Sequence, residues 1–186
     1  AIPPIPTVFP PHRQGSASLA ASLRESGIDH LTLSDVQEMQ NNNITPEYIR
    51  EMTTLGVRPA NLSEWCDLRN RGVTPHYVRE LREMGIKDLS VEELLELTNH
   101  DISARFVSEM RNLGFKDLSI EGLVELGEHD ISPKFVAEMR NLGFKDLSIE
   151  DLVELGEHDI SPKFVAEMRN LVVNSLCIDD LVELAR

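Results

Sequence analysis

Apolar residues recur along this chain on two periods at once. Within short stretches they keep helical spacing: Ile149, Leu152, Val153 and Leu155 in one, then Phe164, Val165, Met168 and Leu171 in the next. Such spacing gathers each set on one face of a helix. Over the whole chain the same pattern returns every 29 residues. Gly27, Gly56, Gly85, Gly114 and Gly143 keep that interval, and Val172 takes the next position in phase. Ile44, Val73, Ile102, Ile131 and Ile160 keep it too, as do Met39, Leu68, Leu97, Leu126, Leu155 and Leu184. The blocks Gly114–Leu142 and Gly143–Leu171 differ at one position only, Gly122 against Asp151.

Each unit predicts two short helices. Ser148 is suited to cap the first, with Asp151 three residues on as a shortened capping box, and Ser90 with Glu93 gives the fuller form. Ser161-Pro162 opens the second helix, with Ser as cap and Pro at the first helical position, where a missing N–H costs nothing. Thr45-Pro46, Thr74-Pro75 and Ser132-Pro133 repeat the device, while Ser103-Ala104 lacks the proline. The phased glycine closes each second helix in the left-handed C′ position.

Helices this short are marginal alone in water. Their apolar stripes must be buried against neighbours, so successive pairs stack around one continuous core. The expected fold is all-α: an α-solenoid of two-helix repeats over residues 15–186, elongated and curved. It opens on a helix of the second type around Ser18–Ser26 and closes on one of the first type around Ile178–Ala185. Residues 1–14 hold five prolines and predict an extended head, partly polyproline-like.

Composition narrows the function. The net charge is −14, with no basic block. Nucleic-acid binding draws on neutralised phosphates, so nucleic acid is not an expected partner. No apolar run reaches the roughly 20 residues that span a bilayer. Ala1 opens the sequence and all six methionines are internal. A removed signal peptide is one reading, which places the protein outside the cytoplasm, extracellular or periplasmic; a chosen boundary is the other. Cys66 and Cys177 stand about four repeats apart, too far for an internal bridge. Buried apolar thiols are the simpler expectation, an intermolecular bridge the sharper one.

Several patterns suggest chemistry and resolve into structure. His100-Asp101, His129-Asp130 and His158-Asp159 recur one repeat apart, too far for shared metal coordination. Asp in a turn or capping role beside a partly exposed His is the expectation. The trio His158, Asp159 and Ser161 sits in one tight turn and recurs in other units, unlike a catalytic triad. Glu121, Glu125, Glu150, Asp151 and Glu154 form a solvated acidic ladder. Arg82, Arg111, Arg140 and Arg169 form a basic one, expected to pair with nearby carboxylates. No catalytic residue, metal site or cofactor follows from these patterns.

The unit ISPKFVAEMRNLGFKDLSIEDLVELGEHD resembles a bacterial helical repeat found in regions following BlaR-type metallopeptidase antirepressors and in secreted proteins of unknown function. The resemblance rests on Ser/Thr-Pro, the aromatic at Phe164, the Met-x-x-Leu-Gly closure and the Leu-Ser helix start, and it covers most of the chain. It implies no peptidase activity, since no His-Glu-x-x-His motif is present. Transcription-activator-like effector repeats and mitochondrial termination factor repeats look superficially similar, but both need a basic surface.

Two nearly identical adjacent units argue against unit-by-unit reading of a varied ligand. They suit a uniform structural protein whose partner is another copy of itself or another protein. The head supplies apolar Ile2, Ile5, Val8 and Phe9, and the last unit turns apolar at Leu171, Val172 and Val173, near Cys177. These eight residues are the candidate interface for joining copies, as a filament or scaffold. A monomeric module that holds a partner protein, or a regulatory extension of a larger one, is the alternative.

Overall fold

The computed structural model describes residues 11–171 and 176–185. Among them are twelve helices and no strand. First-type helices are α2 (Leu33–Asn41), α4 (Leu62–Asn70), α6 (Val91–Asn99), α8 (Ile120–Glu128), α10 (Ile149–Glu157) and α12 (Ile178–Ala185). Second-type helices are α1 (Pro11–Glu25), α3 (Pro46–Thr54), α5 (Pro75–Glu83), α7 (Ala104–Asn112), α9 (Pro133–Asn141) and α11 (Pro162–Leu171). The chain is an all-α solenoid of two-helix repeats.

Local chemistry sets the helix boundaries. The backbone N–H groups of Tyr48, Phe106, Phe135 and Phe164 donate to the hydroxyls of Thr45, Ser103, Ser132 and Ser161 at 3.1–3.2 Å. Ser148 and Asp151 cap α10 reciprocally, as Ser90 and Glu93 do for α6. Every phased glycine has a positive φ, from 79° at Gly56 to 99° at Gly143. The other turn uses a left-handed residue as well: Asn43, Gly72, Asp101, Asp130 and Asp159. The aspartates of the three His-Asp pairs thus supply backbone conformation, which Asn and Asp adopt at low cost.

The head differs from expectation at its inner end. Pro11–Gln14, expected to be extended, belongs to α1, and the helix begins well before Ser18. Pro11 stands at the first helical position, where its fixed φ suits a helix and its missing N–H is not needed. The rest of the head, with Ile2, Ile5, Val8 and Phe9, lies outside the described residues, as do Val172 and Val173.

Two compact units divide the chain: residues 1–79 with 87–95, and residues 80–86 with 96–186. In the first, α1 packs on α2 and α3, and α2 on α4. Trp65 fills its core at 0% exposure, edge-on to Tyr48 at 6.0 Å between ring centroids. The Tyr48 hydroxyl donates to the Val73 carbonyl at 2.9 Å. In the second, α7 packs on α9, α9 on α11, α8 on α10 and α10 on α12. Its core repeats the same side chains in each turn of the array: Leu126 and Leu155, Val136 and Val165, Ile131 and Ile160.

Candidate interaction surfaces

Three rows of side chains recur with the repeat, and their geometry separates structural roles from exposed ones. The first joins histidine to glycine. A Cβ built on Gly127 would lie 2.5 Å from His100 Cβ, and one on Gly156 the same distance from His129 Cβ. The histidine of one unit is pressed against the first-type helix of the next, and only glycine leaves room. His100 Nε2 stands 4.0 Å from Glu128 Oε1. No group of three His, Cys, Asp or Glu side chains that could hold a metal ion occurs among the described residues. The histidines pack and do not converge.

The second row corrects the expected pairing of the arginine ladder. The Arg140 guanidinium lies over the Phe115 ring and Arg169 over Phe144, each with Cζ 5.4 Å from the ring centroid. Arg111 reaches the Lys116 carbonyl at 3.4 Å. Phe115 and Phe144 follow the phased glycines, so the guanidinium of one unit finds an aromatic face of the unit before it. Cation–π attraction and coverage of the apolar ring favour this over an exposed carboxylate. The ion pairs run instead along or between second-type helices, such as Arg105–Glu109 at 2.8 Å and Arg79–Glu51 at 3.2 Å.

The third row is the first-type helix cap, where the last unit substitutes Cys177 for serine. The Asp180 backbone N–H donates to Cys177 Sγ at 3.4 Å, and the Cys177 N–H donates to Asp180 Oδ2 at 2.9 Å. That second bond holds the Asp180 carboxyl below its ordinary range. Both thiols are free, and Cys66 is buried as expected, its pKa raised by desolvation. Cys177 is exposed, against the expectation of burial. A cap side chain must lie at the helix mouth, which keeps it at the surface.

An open groove of about 480 Å³ interrupts the regular surface. Glu80, Glu83 and Met84 form one wall, and Ala104, Arg105 and Glu109 the other. Ala104, in phase with Pro75 and Pro133, lines it.

Large exposed apolar side chains occur at Leu33, Leu171 and Leu184 among the described residues. Of the candidate interface residues, the structure therefore places Leu171 and Cys177 at the surface, near the end of the array. Leu33 and Leu184 were not singled out from sequence. The available signal was their phase: each sits at a core-side position of a terminal unit.

No family model, curated protein or solved structure matches the chain. No helix of the described residues is long and apolar enough to cross a membrane.

Proposed function

We propose that the chain is a structural repeat protein that associates with itself through its terminal units and head, acting as a scaffold or filament subunit outside the cytoplasm. One observation carries this reading: the blocks Gly114–Leu142 and Gly143–Leu171 differ at one position only, so successive units present the same surface, which suits a uniform structural role. Leu33, Leu171 and Leu184 add large exposed apolar side chains among the described residues, and exposed apolar area is stabilised by removal from water. The repeated His–Gly and Arg–Phe contacts hold successive repeats together.

The head's part is tested by removing residues 1–10, which leaves α1 whole. Loss of assembly in light scattering supports docking of Ile2, Ile5, Val8 and Phe9 on another copy. Assembly equal to that of the full chain overturns the head's role.

The groove beside Ala104 favours a second reading, a module that binds a basic partner between α5 and α7. Its test is a calorimetric titration with a lysine-rich decapeptide. Binding that Glu83→Gln weakens would support it, and no heat of binding would set it aside.

A further inference from the structure

Two second-type helices are copies of one another: α9 reads PKFVAEMRN, and α11 repeats it before its final Leu171. Helix α7 reads ARFVSEMRN and departs from them at three positions, Ala104, Arg105 and Ser108. All three line the open groove of about 480 Å³. Its other wall departs as well. Glu83 stands where the later units carry Asn112, Asn141 and Asn170, and Met84 where they carry Leu113, Leu142 and Leu171. Both walls belong to the second compact unit. Glu83, Arg105 and Ser108 are exposed, so core packing does not dictate them. Along these helices the departures from the repeat gather at one place.

The chemistry of that place is lopsided. Glu80, Glu83 and Glu109 share the groove with one guanidinium, that of Arg105. Arg105 Nε donates to Glu109 Oε1 at 2.8 Å, so its charge is already held by one of the three. Glu83 has no hydrogen-bond or ion-pair partner among the described residues. Met84 and Ala104 add apolar surface beside it. A long cationic side chain fits this combination, since its methylenes cover apolar surface while its head stays at the wet rim. The net charge of −14 draws a basic partner toward the chain.

We propose that the groove takes a lysine or arginine side chain of a basic partner protein, that Glu83 anchors it, and that Arg105 is a resident competitor for the same place. This inference rests on the second reading proposed above and names the residue that attracts and the residue that opposes. Arg105 opposes in two ways: it repels the incoming cation and it occupies Glu109. Lys134 and Lys163, in phase with Arg105, stand 3.7 and 3.9 Å from Glu138 and Glu167. The residues in phase with Glu83 on α7 and α9 are Asn112 and Asn141. The later helix pairs therefore have the competitor without the anchor.

Fluorescence anisotropy of a fluorescein-labelled, lysine-rich decapeptide tests this on the full chain. Glu83→Gln should weaken binding and Arg105→Gln should tighten it, each by about threefold, the size of one solvent-exposed charge contact. Two controls carry the same charge changes away from the groove, Glu150→Gln and Lys163→Gln, and both should bind as the original chain does. All four positions are exposed, so circular dichroism should show unchanged helix in every variant. Weakening by Glu150→Gln equal to that by Glu83→Gln overturns the anchor and leaves general attraction to an acidic chain. Arg105→Gln binding no tighter than Lys163→Gln overturns the competitor. No binding to the original chain overturns the reading on which both rest.

Discussion

His100 Cβ lies where it would stand 2.5 Å from any Cβ added at Gly127. The contact links residues 27 positions apart and recurs between His129 and Gly156. Glycine inside a helix is a local cost of about 1 kcal/mol relative to alanine. It is retained here because neighbouring units approach too closely for a methyl group. Gly127→Ala and Gly156→Ala should therefore destabilise, despite alanine's better helix propensity. Overpacking of about 1–3 kcal/mol outweighs that gain. Urea denaturation checks the sign: a raised midpoint for either variant would contradict the close contact.

Gly122 makes a useful contrast. The equivalent position in the next unit is Asp151, which completes a capping box with Ser148. Gly122→Asp should add the same reciprocal bond to Ser119 and raise stability by roughly 0.5–1 kcal/mol. The neighbouring Ile149, whose Cγ2 would lie 3.3 Å from the new Cβ, must give by a few tenths of an ångström. Thermal melting of the single variant reads the outcome.

Cys177→Ser should strengthen the cap of α12, since a hydroxyl accepts the Asp180 N–H better than a thiol held at 3.4 Å. The gain expected is about 0.5 kcal/mol. In the native protein a thiol reagent should label Cys177 quickly and Cys66 only on unfolding. Fast labelling of both would contradict the burial of Cys66.

Alkaline titration probes the aromatic row. Burial pushes both Tyr48 and Tyr77 up from 10.0 to about 12. The folded state thus holds these phenol protons more tightly than the unfolded chain. Their contribution to stability is complete below pH 10 and is lost as pH rises toward 12. Absorbance at the phenolate band should stay flat through pH 10 and rise with the loss of helix. Ionisation near pH 10 with helices intact would contradict it. Tyr48→Phe removes the bond to the Val73 carbonyl, at about 1 kcal/mol. Phe106, Phe135 and Phe164 already stand at equivalent positions.

The fold was legible because its determinants are local and repeated. The Ser/Thr-Pro caps, the phased glycines and the apolar stripes each follow from a few adjacent residues. Contacts between units were harder. The Arg140–Phe115 stack joins residues 25 apart, and sequence alone offered exposed carboxylates as the ready partners. The Gly127 contact had a signal that went unused, a glycine within a helical stripe. Pro10-Pro11 read as extended, although Pro11 serves equally to open a helix. The exposure of Leu33 and Leu184 depends on which elements lie beside them, which their own residues do not encode.

Self-association is tested most directly by light scattering of the 186-residue chain after size exclusion, across a concentration series. The account predicts a mass that rises with concentration above that of one chain. A single-chain mass at every concentration would contradict it and leave the groove beside Ala104 as the surface to pursue.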